Sequence, residues 1–266
     1  MKGAKHINFV YPAAPHEHIM PVNESKRPVG RADYRFEDTR FWYQVLAGVV
    51  RAAAWVVFPV WAFLWMRTRI NGRKNFRALR GQGIIVVANH VHILDAPVLG
   101  ACATRTRKLR IITLKENMNL PLAGRIMKLL GCIPLGADYG GMKKLTKTVD
   151  SLLARKKPVL FYPEAAFWPY YTGLRPFTTG GFSFAVKNNV PVLPTVYTFG
   201  INKRGIKNRL VLHILPAIVP AVGESAEQLS LRAYEAMLKI SHEFYADKRN
   251  NKSGHKVEIE FGEPQA

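Results

Sequence analysis

The chain of 266 residues is long enough for one substantial α/β domain with a small addition, and nearly half of its residues are apolar, which excludes bulk disorder. The formal net charge of +21 predicts an anionic partner: a phospholipid surface, a nucleic acid or a phosphorylated small molecule. The two cysteines, Cys102 and Cys132, lie in apolar sequence without metal-ligand spacing, so we interpret them as reduced core residues of a cytosolic protein.

The first forty residues are polar, mixed in charge and interrupted by prolines, which predicts an irregular N-terminal arm over residues 1–40. They contain no apolar stretch long enough for a secretory signal. His16 and His18 have a spacing that a metal site could use, but no further ligand is near in the sequence. We therefore interpret both imidazoles as solvated and predict no metal.

Residues 41–70 form the most apolar segment, with an uninterrupted apolar stretch from Ala52 to Met66. A membrane-spanning helix needs about 20 apolar residues, and Arg51 and Pro59 interrupt the longer window. Amphipathic aromatic residues that favour the headgroup level are Trp42, Trp55, Trp61 and Trp65. We predict a membrane-associated helical hairpin in one leaflet, kinked at Pro59, with nearby arginines at the lipid phosphates. A buried helix pair and a single spanning helix remain the alternatives.

From about residue 80, short apolar runs alternate with helical segments. Runs rich in Val and Ile predict buried strands at 83–89, 109–114, 157–164, 191–199 and 209–215. The segments between them predict helices at about 96–104, 120–130, 142–155 and 180–188. This alternation predicts an α/β fold with a mostly parallel or mixed sheet covered by helices.

The C-terminal part of the main domain, which we place at residues 71–266, predicts a long amphipathic helix. Ser225 and Gln228 stand at capping-box spacing, and apolar residues then recur at helical intervals. The tail "KVEIEFGEPQA" at residues 256–266 could add an edge strand.

The segment "VVANHVHILDAP" at residues 86–97 carries the chemistry that stands out most in the sequence. His90 follows a predicted buried strand, at the end of the strand where open α/β sheets place ligands. Asp95 opens the next predicted helix. Across a loop-to-helix turn, this spacing brings the carboxylate onto one imidazole nitrogen and leaves the other as a base, as in the His–Asp half of a hydrolytic triad.

Two alternatives to this pairing stay open on spacing alone. His92 lies closer to Asp95 in the sequence and could pair with it if the helix begins early. Asp95 could instead be only a helix N-cap, with His90 bonded to a loop carbonyl.

Four segments in order resemble the glycerolipid acyltransferases, the superfamily of 1-acylglycerol-3-phosphate acyltransferase. "NHVHILDAP" is similar to the His-x4-Asp block of that superfamily. The other three are "LKENMNLPLAGRIMKLLGCIPL" at 114–135, "VLFYPEAAFW" at 159–168 and "LRPFTTGGFSFAVKNNVPVLPTVY" at 174–197. The resemblance covers about residues 80–200.

The resemblance implies that His90 is the base of an acyl transfer from acyl-CoA or an acyl carrier protein to a hydroxyl, and that Asp95 orients it. No bound cofactor is implied. Glu164 matches the glutamate of the third block, which implies acceptor binding or positioning. Backbone donors near Gly131 and Ile133 are the candidates for stabilising the oxyanion.

The sequence departs from the resembled pattern after Glu164. The superfamily usually continues Gly-Thr-Arg, and that arginine helps to hold the acceptor phosphate, whereas this chain has Ala165, Ala166 and Phe167. Lys115, Arg125 and above all Arg175 are the candidate substitutes. The acceptor could alternatively lack a phosphate monoester.

We therefore expect a monotopic O-acyltransferase of phospholipid biosynthesis on the cytoplasmic face of a membrane, attracted to anionic lipid and acting on a lysophospholipid. Two rivals remain. A serine hydrolase is suggested by "GFSFA" around Ser183, which weakly resembles the Gly-x-Ser-x-Gly motif of a nucleophile elbow. A non-catalytic basic membrane binder is suggested by the charge. The basic residues are dispersed and form no nucleic-acid motif, so no nucleic-acid partner is predicted.

Overall fold

The computed structural model describes residues 11–19, 29–104, 108–202 and 205–252. The strands are β1 (Arg69–Asn71), β2 (Ile84–Ala88), β3 (Arg110–Thr113), β4 (Cys132–Pro134), β5 (Pro158–Phe161), β6 (Val192–Asn202) and β7 (Gly205–Ile214). The helices are α1 (Phe41–Met66), α2 (Arg73–Ala78), α3 (Asp95–Pro97), α4 (Ala123–Leu130), α5 (Tyr139–Ala154), α6 (Gly180–Asn188) and α7 (Ala226–Ala246). A π-helical stretch, Val98–Thr104, continues α3, and a 3-10 turn covers Glu116–Asn119.

Within the described residues the strands form one seven-stranded mixed sheet in the order β1-β7-β6-β2-β5-β3-β4. The strands β2 to β6 run parallel to one another, and β7 and β1 run in the opposite direction. The carboxyl ends of β2, β5 and β6 therefore meet at one edge, called the carboxyl edge below. The predicted mixed α/β sheet is confirmed.

Helices cover both faces of the sheet. The core on one face contains residues of α1 and the π-helical stretch, and the core on the other contains residues of α5, α6 and α7. Strand β2 is buried along its whole length, as its continuous apolar run predicts. The capping box predicted at the start of α7 is present, with Ser225 and Gln228 each bonded to the other's backbone.

The predicted hairpin over residues 41–70 is wrong, because α1 is one continuous helix of 26 residues with Pro59 inside it. A proline removes one hydrogen bond and bends a helix, but reversal of the chain requires a turn. The helix ends only at Arg67, which adopts φ 46° and donates its N–H to Ala62. One side of α1 is buried against the domain on both sides of Pro59, at Ala47 before it and at Ala62 and Met66 after it.

The other side of α1 is an exposed apolar face. Its exposed large side chains are Phe41, Trp42, Val45, Leu46, Val49, Val56, Val57, Val60, Trp61, Phe63 and Leu64. Within the described residues, α1 is the one helix long and apolar enough to cross a membrane, by length and composition. The predicted edge strand at 256–266 lies outside the described residues.

Candidate active site

His90 and Asp95 are brought together at the carboxyl edge, immediately after β2. Oδ2 of Asp95 lies 3.2 Å from Nδ1 of His90, and it also accepts hydrogen bonds from the backbone N–H groups of Val91 and His92 at 2.9 Å each. The carboxylate turns back toward the loop and does not cap its own helix. The pairing selects the tautomer with the proton on Nδ1, so Nε2 becomes the basic nitrogen.

Asp95 is fully buried, and burial raises the pKa of its carboxyl group. The hydrogen bonds from His90 and from the backbone of His92 favour the ionised form and oppose that effect. A buried carboxylate that receives three donors on one oxygen is rigidly held. The imidazole of His90 is thereby fixed in orientation, while 28% of its side chain remains exposed.

His92 points into different surroundings. Its Nδ1 accepts a hydrogen bond from the N–H of Leu94 at 3.1 Å, and its ring packs edge-on against Tyr170. It lines a separate cavity of about 90 Å³ beside the end of α1, and burial lowers its pKa. Only the backbone of His92 bonds to Asp95, so the geometry favours His90 as the partner of the carboxylate.

Two buried residues that the sequence analysis did not single out hold the loop in place. The side chain of Asn89 bonds to both the N–H and the carbonyl of Tyr197 on β6, at 2.7 and 3.0 Å. The hydroxyl of Tyr197 donates to the carbonyl of Asp95 at 2.6 Å. The motif "NHVHILDAP" contains Asn89, but nothing in the sequence shows that its partner is a tyrosine 108 residues away.

Glu164 contacts the backbone of His90 from the loop after β5. It is fully buried after β5, and its Oε2 accepts the backbone N–H of His90 at 3.2 Å. The same oxygen accepts a hydrogen bond from Nη2 of Arg175 at 2.7 Å, and Oε1 accepts one from the backbone N–H of Arg175. These contacts favour the positioning role predicted for Glu164, because the carboxylate faces protein donors.

The expectation that Arg175 binds an acceptor phosphate is wrong for the observed arrangement. Arg175 is completely buried and pairs with Glu164. Its terminal nitrogens also donate to the carbonyls of Pro15 and Ala166, and its guanidinium stacks 4.4 Å above the ring of Trp168. A guanidinium committed to these partners is not presented to a ligand at the surface.

Residues 11–19 of the N-terminal arm pack on the loop that carries Glu164. Tyr11 stacks on Trp168 at 5.2 Å and donates to the carbonyl of Pro169. The indole of Trp168 donates to the carbonyl of Glu17, and Nδ1 of His16 lies 3.1 Å from the carbonyl of Glu164. His18 is half-buried, and burial and the charge of Arg175 lower its pKa. The sequence predicted an irregular arm but gave no sign of this docking.

An aromatic wall encloses the imidazole of His90. Tyr162 stacks against it at 4.1 Å between ring centroids, and Phe167 lies at 4.8 Å. The hydroxyl of Tyr162 is buried, and burial raises its pKa well above the usual value. Phe167 occupies the position where the resembled pattern has an arginine, so an apolar ring stands there beside the base.

The remaining predicted site residues do not meet His90 in the described contacts. Lys115 follows β3 at the carboxyl edge and pairs with Glu116 at 3.7 Å, and Arg125 is exposed on α4. Gly131 and Ile133 are wrong as oxyanion donors. Because β4 runs parallel to β2, Gly131 lies at the opposite edge of the sheet, where its N–H donates to Lys128. Ile133 is a core residue inside β4.

Ser183 does not stand on a nucleophile elbow. An elbow is a sharp strand-to-helix turn, whereas Ser183 is inside α6 and its hydroxyl donates to the carbonyl of Thr179 one turn earlier. The structure therefore argues against the serine hydrolase alternative.

Comparison with known proteins matches the region of the chain that contains this site. Residues 67–198, which include the His90–Asp95 pair and Glu164, match the family model named Acyltransferase. The fold is similar to that of the crystal structure of the 1-acyl-sn-glycerophosphate (LPA) acyltransferase PlsC from Thermotoga maritima. That match has a TM-score of 0.55 at 21% identity and covers 77% of this chain and 80% of the other. Residues 67–198 therefore form a domain of the Acyltransferase family, and the match to the PlsC structure shows a shared fold.

Proposed function

We propose that the protein is an O-acyltransferase that moves a fatty acyl group from acyl-CoA or an acyl carrier protein to the free hydroxyl of a lysophospholipid such as 1-acylglycerol-3-phosphate. The observation that carries the proposal is the contact of the His90 imidazole with a fully buried carboxylate at the carboxyl edge. This arrangement orients a general base that has no serine, threonine or cysteine side chain in its described contacts.

In the proposed reaction, Nε2 of His90 takes the proton of the acceptor hydroxyl as its oxygen attacks the thioester carbon. The tetrahedral intermediate then expels the thiolate, which receives the proton from the imidazolium. Asp95 stabilises the imidazolium formed between the two steps. Glu164 positions the backbone of His90 and so keeps the imidazole against the aromatic wall.

The proposed location is the cytoplasmic face of a membrane, with α1 lying in one leaflet. The helix presents apolar side chains outward along its length, while its other side packs on the domain. A helix held along one side in this way is oriented to lie in the interface. Its C-terminal end contributes Trp61 and Met66 to the cavity that is lined by His92. This cavity lies beside the loop after β2, residues 89–95, which we call the reactive loop.

A second candidate acceptor is a lipid alcohol without a phosphate monoester. Phe167 against His90, in the position of the phosphate-binding arginine of the resembled pattern, favours it. The buried pairing of Arg175 with Glu164 removes the cation that was expected to compensate.

An acceptor panel tests the proposal. The purified protein in detergent or bilayer discs receives acyl-CoA or acyl carrier protein with lysophosphatidic acid, a lysophosphodiester lipid or monoacylglycerol, and mass spectrometry follows the products. We expect ester formation with at least one acceptor. Release of free fatty acid alone, with no esterified acceptor, would contradict the proposal.

A further inference from the structure

A cluster of cations, separate from the candidate active site, lies at the edge of the sheet opposite to His90. A recess between the N-terminal half of α1, the end of α4 and the starts of β3 and β4 is lined by three cations, Arg51, Arg110 and Lys128. Two carboxylates, Glu37 and Asp38, also line it. Gly131 and Cys132 contribute its floor through the beginning of β4. We call the three cations and this floor the basic recess. No residue of the predicted acyl-transfer pair takes part in it.

The two carboxylates that line the basic recess are shared with cations outside it. Among the described residues, no carboxylate lies within salt-bridge distance of Arg51 or Lys128, and Arg110 reaches only Glu37, at 3.5 Å. Glu37 is already shared with Arg155 and Lys157. The next carboxylate, Asp38, bonds to Arg40 and contacts Arg35. This end of the domain therefore carries an excess of buried and half-buried positive charge.

The pKa values of two of these cations are lowered by their surroundings. Burial, with the nearby charge of Arg51, lowers the pKa of Arg110 to about 10. Burial also lowers the pKa of Lys128. Groups that are hard to keep charged gain most from a bound anion, which would restore their usual pKa.

The recess also offers an unused hydrogen-bond donor and a defined size. The hydroxyl of Tyr43, on its wall, is buried and has no hydrogen-bond partner among the described groups. The volume of the recess is about 20 Å³, enough for one water or one oxyanion oxygen. A phosphate group would place one oxygen inside and keep its others at the mouth, beside the arginine and lysine side chains.

We propose that the basic recess is a phosphate-binding site, separate from the acyl-transfer site, and that it takes the headgroup phosphate of an anionic phospholipid. The neighbouring surface argues for a lipid source, because the exposed Phe41 and Trp42 at the start of α1 lie on the same half of the helix as Tyr43. Arg51 is held at the recess by donation from its Nε to the carbonyl of Leu129 at 2.8 Å. This assignment does not depend on the identity of the acyl acceptor.

Binding to vesicles tests the site without using turnover. Full-length protein carrying His90→Gln, so that no acyl transfer occurs, is mixed with vesicles of phosphatidylcholine alone or with added phosphatidylglycerol. Tyr43→Phe and Arg51→Lys keep the net charge but remove the hydroxyl and the guanidinium fork. We expect each to weaken binding to the anionic vesicles by about 10-fold, the value of one charge-assisted hydrogen bond, and to leave binding to neutral vesicles unchanged.

The control replaces two exposed lysines on α5, Lys143→Gln with Lys147→Gln, which lowers the charge without touching the recess. The proposal is overturned if Tyr43→Phe and Arg51→Lys bind anionic vesicles like the parent, or if they lose binding to both vesicle types equally. Inorganic phosphate and CoA, assayed by thermal shift, distinguish the source. Stabilisation of the parent by these soluble phosphates, lost in the variants while vesicle binding persists, would overturn the lipid source.

Discussion

The backbone N–H of His90 and the carboxylate of Glu164 are joined by a hydrogen bond of 3.2 Å that links the loop after β2 to the loop after β5. Because the same carboxylate oxygen accepts Nη2 of Arg175 at 2.7 Å, the backbone of the proposed base is fixed by a fully buried ion pair. The pair is therefore structural support for the reactive loop, and its removal has a large expected cost.

Glu164→Gln should lower the free energy of unfolding by about 3–5 kcal/mol, because it leaves the guanidinium of Arg175 buried without its counter-charge. Arg175→Met should have a similar effect, and the double substitution should cost less than the sum. Urea unfolding followed by circular dichroism measures all three. Arg232→Gln, which breaks a partly exposed pair with Glu224, should cost less than about 1 kcal/mol. Equal losses at the two pairs would argue against the buried support.

Deleting residues 1–19 should destabilise the loop that carries Glu164. The deletion removes the carbonyl acceptors of Arg175 and Trp168 and the ring of Tyr11. We expect a loss of about 2–3 kcal/mol in unfolding free energy, as for buried donors left unsatisfied. Glu17→Ala serves as the control because its side chain is exposed and its described hydrogen bonds are made by its backbone, which the substitution keeps. An unchanged midpoint in the truncated protein would show that the docking contributes nothing.

Phe167→Arg should shift acceptor preference. An arginine there would place a guanidinium beside His90, so we expect KM for an acceptor with a phosphate monoester to fall about 10-fold relative to monoacylglycerol. Phe167→Leu, which keeps an apolar side chain, should leave the ratio unchanged. Steady-state kinetics with both acceptors measures the effect. A lower KM for both acceptors alike would contradict a specific role in phosphate recognition.

The stability of the fold should fall in mild acid because of His213 on β7. Burial lowers the pKa of its imidazole from 6.5 to about 4, and its Nε2 lies 3.0 Å from the hydroxyl of Thr198. The folded protein binds this proton less readily than the unfolded chain, so the stabilisation is complete above pH 6.5. It is lost as the pH falls from about 6.5 to about 4, at a cost of about 3 kcal/mol.

Denaturant unfolding at a series of pH values measures this loss. His213→Asn should flatten the dependence between these limits, whereas His16→Gln, at an exposed imidazole, should leave it intact. A parent protein whose unfolding free energy stays level over that interval would rule out the buried neutral imidazole.

The sequence predicted those elements that are long or strongly patterned. The five Val- and Ile-rich runs all became strands, and the segment at 180–188 matches α6 at both ends. The short strands β1 and β4 were missed because three residues carry no periodicity. The hairpin error has a physical origin as well, because Pro59 signals a break only where packing does not hold the helix on both sides of it.

The site was predictable where partners are near in sequence and not where they are distant. The spacing of His90 and Asp95 indicated their contact, which the structure confirms at 3.2 Å. The pairing of Arg175 with Glu164 and the docking of residues 11–19 depend on how separate loops meet at the sheet edge. Gly131 was misplaced for the same reason, since β4 was not among the predicted strands and the edge to which Gly131 belongs was unknown.

The most direct test of the central claim compares His90→Ala with His92→Ala in single-turnover acylation of the best acceptor, with folding checked by circular dichroism. If Nε2 of His90 is the base, His90→Ala should lower the rate by about 10²–10⁴-fold and His92→Ala by less than about 10-fold. A protein that keeps its rate after loss of His90 but loses it with His92 would contradict the account.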